Sequence, residues 1–402
     1  DGTVALTGLS MSPDGKLIAY TISRSGSDWT AIYGIDAETL QPTGDHIEWA
    51  KFTGADWRKD GFYYSAYDRP EAGKEFSNAN ENHRIYFHRT GTPQSADELV
   101  FEDKEHPLHF HSAGLSSDGR YLFVSVGGQG FGNGLMVKDL EIPGADWITI
   151  EPTQQYEIEP VDGPLYLLPA ADAPNKRLVT ADIKAPQRAN WKDLVPEDPS
   201  GVLNSAQRAG ADKLILNYER DASDHPALYT IKGDKIRDIA LPTYGTAGFS
   251  SSEKSDDVFY GFASFLYPSA VYSYDMATGE SKPWFTPEVK GFNPDEYVTE
   301  QVFYPSADGT KIPMFITRRK DIKLDGTNPV YLYGYGGFNV SLPPSFSPNR
   351  LVWLDNGGIY AQTNLRGGAE YGEAWHEAGT KQKKLNVFND FIAAAEYMIR
   401  EG

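Results

Sequence analysis

Cysteine is absent from the 402-residue chain, which excludes disulfides, thiolate catalysis and cysteine-ligated zinc while leaving the redox compartment open. No apolar run reaches the roughly 18 to 20 residues that a membrane-spanning helix requires. Positive charge is scarce: 37 Lys and Arg face 56 Asp and Glu, for a net charge of −19, and no basic block interrupts the acidic balance. Nucleic acid and anionic membrane surfaces would be repelled, so neither is expected as a partner. The chain begins at Asp1 rather than Met, and upstream sequence, including any signal peptide, is expected to be missing. A cytoplasmic location is favoured, and a periplasmic one stays open.

What is abundant points to β structure. Apolar residues make up 40% of the chain and aromatics 13%, and 24 Tyr with 39 Gly suit a turn-rich β protein better than a helical bundle. A chain of this length is expected to form two domains. Over roughly the first 280 residues, turn signals recur ahead of short apolar or β-branched runs. Ser12-Pro13-Asp14-Gly15 precedes a run in which Ile18, Tyr20 and Ile22 alternate with smaller or polar residues, as a half-buried strand requires. Asp60-Gly61, Ser117-Asp118-Gly119 and Asp162-Gly163 precede similar runs, followed by weaker echoes at Asp212 and Asp256-Asp257. Steps of 44 to 58 residues match one four-stranded propeller blade each, so six blades are counted. Each continues into a second hairpin, as at Asp36 to Thr39 and Asp275 to Gly279. A sandwich with coincidentally spaced turns is the competing reading, and so long a regularity argues against it.

Near residue 290 the pattern changes. Tyr297 to Tyr304 and Lys311 to Ile316 read as strands flanking the turn Ala307-Asp308-Gly309. Val330 to Tyr333 reads as a short buried strand entering Gly334-Tyr335-Gly336-Gly337-Phe338, and Gly358 to Thr363 as another entering Leu365-Arg366-Gly367-Gly368. The last segment predicts a helix with Asn386 as N-cap, Gly402 as C-cap and an apolar stripe of Phe388, Phe391, Ile392, Ala395 and Ile399. This alternation predicts a parallel sheet covered on both faces, the start of an α/β domain.

Three ordered motifs carry a resemblance to the prolyl oligopeptidase family: Tyr333-Gly334-Tyr335-Gly336-Gly337-Phe338-Asn339, Asn364-Leu365-Arg366-Gly367-Gly368-Ala369-Glu370-Tyr371-Gly372, and Ala374-Trp375-His376. It continues through Asn386 to Phe391, Asp308 to Phe315 and Ser25 to Trp29, and so covers essentially the whole chain. The resemblance implies a seven-bladed β-propeller capping an α/β-hydrolase domain, with residues 1–290 as the propeller, one blade lying upstream of Asp1, and residues 291–402 as the start of the catalytic domain. It implies a serine endopeptidase that cuts short peptides after proline, monomeric when complete, with the propeller gating access, and it implies no cofactor and no metal. The family's serine lies on a Gly-x-Ser-x-Gly elbow. No such sequence occurs here, so the catalytic Ser, Asp and His are expected outside this chain, and these 402 residues alone are expected to be inactive.

By resemblance, the Tyr335 hydroxyl is the side-chain donor to the oxyanion, Gly336 and Gly337 let the backbone approach substrate, and Phe338 walls the proline pocket. Read without the family, the same stretch is a tight loop with core aromatics. Phe52 and Phe110 align loosely with positions lining the peptide channel, although core packing is the simpler role for both. Arg366, Glu370 and Tyr371 are read as fixing the second glycine loop; Ala369 and Asn389 depart from the family's usual Gly and Asp. The stretch Gly127 to Gly132 carries no arginine for substrate and opens no helix, so nucleotide binding does not follow. His106, His109 and His111 have a spacing that could ligate a metal, but with no evident carboxylate partner they read as exposed loop histidines. His376 reads as structural. Two alternatives remain: a relative of oligopeptidase B preferring basic residues, which the Gly-Gly-Phe-Asn continuation disfavours, and a noncatalytic propeller that binds a peptide or protein.

Overall fold

The computed structural model describes residues 2–116, 118–128, 132–152, 158–161 and 165–401. Ser117, residues 129–131 of the glycine-rich stretch, the Asp162-Gly163 turn and Gly402 lie outside the described residues. The chain divides into two compact units, Asp1–Leu167 with Thr180–Lys192, and Leu168–Val179 with Asp193–Gly402. Among the described residues no helix is long and apolar enough to cross a membrane.

Up to Phe285 the strands form antiparallel meanders of four. The first two are fused into one eight-stranded sheet, joined through the single pair Ala50↔Ala66. A third runs from Phe110–Leu115 to Ile148–Glu151, and the strands of the fourth, Ile158–Val161 to Lys192–Val195, are divided between the units. The fifth runs from Val202–Ala209 to Lys235–Asp238 and the sixth from Thr246–Ser252 to Ser281–Phe285.

The predicted turns at Asp14, Asp60, Asp118 and Asp212 each join the first two strands of a meander. In the first, the Asp14 carboxylate accepts from Ser12 Oγ (2.8 Å) and Lys16 N (3.2 Å), while Ser12 Oγ accepts from Leu17 N (2.9 Å). The third repeats the wiring with Ser116, Asp118, Arg120 and Tyr121. A short polar side chain satisfying turn amides is what makes this signal legible. Asp256 and Asp257 are an exception: both lie within the strand Ser255–Ser264, and the turn falls earlier, between the paired Ser252 and Ser255.

Sheet faces pack on their neighbours. Ile32 and Ile47 of the first meander cluster with Phe62 and Tyr64 of the second. Tyr63, Ile85 and Phe87 of the second cluster instead with Leu122 and Val124 of the third. Alternate residues of the strand Gly61–Ala66 therefore serve opposite cores, which is why it is buried throughout.

The remaining strands form a mixed sheet. Tyr297–Pro305 pairs antiparallel with Lys311–Arg319, which pairs antiparallel with Ile359–Thr363; only Val330–Tyr333 joins in parallel, alongside Ile359–Thr363. The expected strand, helix and strand alternation thus yields the one parallel pair, while the hairpin before it joins antiparallel; among the described strands Val330–Tyr333 lies at the edge, with Val330, Tyr331 and Tyr333 exposed. The connection to Ile359–Thr363 contains helix α1 (Pro348–Asp355), and α2 (Gly372–Glu377) and α3 (Leu385–Glu401) follow. Phe265 and Leu266 of the sixth meander share a core with Tyr297, Phe315, Leu354 and Tyr360.

Helix α3 corrects one expectation. It begins at Leu385, so Asn386 lies inside it and donates from Nδ2 to Ala378 O (2.9 Å) rather than capping. Its buried residues are Val387, Asp390 and Ala394, whereas Phe388, Ile392 and Ile399 of the expected stripe are exposed.

Candidate functional site

Two glycine loops leave adjacent strands of the mixed sheet and lie against each other. In the first, Gly336 is buried with φ +62°, and a Cβ there would fall 2.6 Å from Val387 Cγ1 and 2.8 Å from Leu365 Cβ. In the second, Gly367 has φ +94°, and its Cβ would meet Gly336 O at 2.7 Å. Neither position has room for a side chain, and both backbones occupy the left-handed region that other residues resist. Lys384 Nζ donates to Gly336 O (2.8 Å), and Asn339 N donates to Gly367 O (3.2 Å). The Nδ1 atom of buried His376 lies 2.9 Å from Gly367 O and 3.1 Å from Asn339 N. As an N–H it donates to the first; unprotonated, it accepts from the second.

This packing leaves the side chains at the tip of the first loop outside the core. Tyr335 is 47% and Phe338 85% exposed, with ring centroids 6.4 Å apart and an interplanar angle of 29°. Phe338 and Asn339 both have positive φ, 53° and 56°, a costly conformation for residues with a Cβ and a familiar one at ligand-binding loops. No described residue hydrogen-bonds the Tyr335 hydroxyl. The reading of this stretch as core aromatics is therefore corrected: packing of the two glycine backbones turns both rings outward.

The second loop is fixed by charge. Arg366 is buried and bonds Asp390 through Nη2 (2.6 Å) and Nε (3.0 Å), and Nη1 reaches Asp308 Oδ2 at 2.5 Å. Ser306 Oγ adds a hydrogen bond to Asp390 (2.6 Å). The guanidinium beside Asp308 holds its carboxyl down at about 2. Glu370 accepts from Leu342 N and Asn364 Nδ2, both at 3.0 Å, and so ties the loop to the chain beyond Phe338. Tyr371 donates to Asp221 (2.8 Å).

Sequence reasoning missed Glu219. It is buried in the strand Lys213–Arg220 of the fifth meander, and its Oε2 accepts from Asn204 Nδ2 (2.8 Å) and Ser341 Oγ (2.9 Å). Burial first, and the nearby Glu370 carboxylate as a further cause, push its acid up to about 7; burial likewise raises Glu370. Among the described residues, Glu219 Oε1 and Glu370 Oε2 have no hydrogen-bond partner. The available signal was a glutamate following the apolar run Leu214-Ile215-Leu216.

In the other unit, Phe52 and Phe110 lie together with ring centroids 6.4 Å apart. They are 59% and 44% exposed, which corrects the core-packing reading. Phe52 has φ +53° and Lys51 Nζ lies 5.3 Å from its ring centroid. The histidine reading also changes. His111 is buried, with its backbone N–H donating to His83 Nδ1 (2.8 Å) and its Nδ1 donating to His83 O (2.7 Å), whereas His106 and His109 face the carboxylate of Asp103.

Six four-stranded meanders followed by a mixed sheet with paired glycine loops define a β-propeller joined to the start of a peptidase domain. Residues 1–287 match the family model described as the prolyl oligopeptidase N-terminal beta-propeller domain, and residues 344–402 match that of the prolyl oligopeptidase family. The chain belongs to the prolyl oligopeptidase family. It is 44% identical over its full length to the prolyl endopeptidase of Elizabethkingia meningoseptica, of which it covers 57%, and 35% identical over its full length to prolyl oligopeptidase A of Amanita bisporigera, of which it covers 56%. The whole chain superposes on a solved prolyl endopeptidase with TM-score 0.90 at 38% identity, covering 59% of that structure. It superposes equally, at 31% identity and 59% coverage, on Galerina marginata prolyl oligopeptidase B bound to a 35mer hydrolysis and macrocyclization substrate. The chain thus spans somewhat more than half the length of these relatives.

Proposed function

We propose that this chain is the propeller and the first part of the catalytic domain of a serine endopeptidase that hydrolyses short peptides on the carboxyl side of proline. In this reading residues 1–290 are the gating propeller and residues 291–402 open the catalytic domain. The triad Ser, Asp and His are supplied by sequence outside this chain, and the complete enzyme acts as a monomer. Tyr335 donates its phenolic proton to the oxyanion, Gly336 and Gly337 admit the substrate backbone, and Phe338 packs the pyrrolidine ring. Phe52 and Phe110 line the peptide's path. The observation that carries this reading is half-exposed Tyr335, whose hydroxyl no described residue hydrogen-bonds, on a loop whose backbone is held by Lys384 and by a second glycine loop. A donor that needs no reorganisation is what transition-state stabilisation requires.

The test is hydrolysis of a Gly-Pro reporter against a Gly-Arg reporter by the complete gene product. Selective cleavage after proline is expected. Preference for arginine would move the protein to the basic-specific branch, and no turnover of either would leave a binding module.

A further inference from the structure

We propose that Asp103, His106 and His109 form a binding site for one divalent transition-metal ion of the zinc type, on the turn leading into the strand Phe110–Leu115. The three residues follow one another at intervals of three, and their ligand atoms all lie within 4.8 Å of one another. Both imidazoles turn Nδ1 toward the same oxygen, Asp103 Oδ2, at 2.9 Å for His106 and 3.3 Å for His109. The rings stack at 4.6 Å with an interplanar angle of 10°, which sets the two nitrogens side by side.

Zinc bonds of about 2.0 to 2.2 Å to nitrogen and oxygen place tetrahedral ligands roughly 3.3 to 3.5 Å apart. The two nitrogen-to-oxygen separations, 2.9 and 3.3 Å, lie at or somewhat below that, on a turn whose His106 side chain is exposed and can give way. Asp103 is held in position by Glu105 N (3.1 Å) and His106 N (3.2 Å), and the turn is tied down by Asn82 N donating to Pro107 O (2.7 Å).

Charge favours a cation. Among the described residues no lysine or arginine pairs with Asp103: Lys104 is engaged by Glu102, and Arg84 by Asp68 and Glu102. Two imidazoles beside one carboxylate supply the nitrogen and oxygen donors that such an ion takes. Two nitrogens and one oxygen suit zinc, nickel or copper and not magnesium or calcium. A bound ion would brace the turn next to Phe110, whose ring meets Phe52. His111 takes no part, because strand alternation sends it inward to His83.

Tag-free full chain titrated with zinc chloride at pH 7.5, by calorimetry and by competition with a zinc-responsive dye, is expected to bind one equivalent saturably. H106Q and H109Q should each weaken binding by about tenfold or more, and the double variant should abolish it, whereas H46Q should bind as wild type. Magnesium and calcium should not compete. Thermal melting supplies the second readout: zinc should raise the midpoint of the wild type but not of the folded double variant. Absence of saturable zinc binding, or binding undiminished in the double variant, overturns the proposal.

Discussion

The Arg366 guanidinium spans both oxygens of Asp390, with Nη2 2.6 Å from Oδ1 and Nε 3.0 Å from Oδ2, and both side chains are closed to solvent. One residue belongs to the second glycine loop and the other to the inner face of α3, so this pair sets how the helix meets the loop. Truncating one partner strands a buried charge. D390A and R366A are each expected to cost about 3 to 5 kcal/mol, while R366M/D390L should cost less than either single change. Urea unfolding of the four proteins checks this; a double variant as unstable as the sum of the singles would count against the pair.

Gly336 is the steric hinge of the site. G336A places a methyl group where Val387, Leu365 and the Arg366 carbonyl already stand, at a φ of +62°. The first loop must shift, and with it Tyr335. Turnover of the complete enzyme is expected to fall by about 10²-fold, as displacement of about 1 Å can cause, whereas G337A, whose Cβ meets nothing nearer than 3.7 Å, should be much milder. Steady-state kinetics of both variants decide the order.

Tyr335 and Phe338 should separate in their kinetic effects. Y335F removes only a hydroxyl from a half-exposed ring, so stability should stay within about 0.5 kcal/mol. Loss of an oxyanion donor should nevertheless lower kcat by about 10²- to 10³-fold in the complete enzyme. F338A should raise KM for proline substrates more than it lowers kcat. Near-normal turnover of Y335F would remove Tyr335 from the reaction.

Glu219 predicts a pH dependence with a definite sign. Its acid is raised from the ordinary 4.5 to about 7 in the folded chain, chiefly by burial. Between these values the folded chain keeps a proton that the unfolded chain releases. The contribution is therefore full below pH 4.5, declines as pH rises to about 7 and stays low above it. E219Q keeps an acceptor for Asn204 and Ser341 without the charge. Its melting midpoint should exceed that of the wild type at pH 8 and match it near pH 4.5, a gap on the order of 1 to 3 kcal/mol. Equal midpoints at pH 8 would show that Glu219 ionises in the fold at no cost.

The blades were legible because their information is local. A turn such as Ser12-Pro13-Asp14-Gly15 satisfies its own amides within five residues, and the strand after it alternates with period two, so both show in the sequence. The glycine loops were legible as motifs for a related reason: at Gly336 and Gly367 no other residue fits.

Other features were set by partners distant in the chain. Asp390, a polar residue in an apolar pattern, is buried on α3 by pairing with Arg366, 24 positions away. Glu219 acquires its raised pKa only where the fold buries it and sets the Glu370 carboxylate nearby. By itself the sequence determined the repeat, the turn chemistry and the glycine positions, which depend on neighbours along the chain. Tertiary structure alone decided which charges were buried and which rings faced outward, because those outcomes depend on desolvation and on contacts that no local pattern encodes.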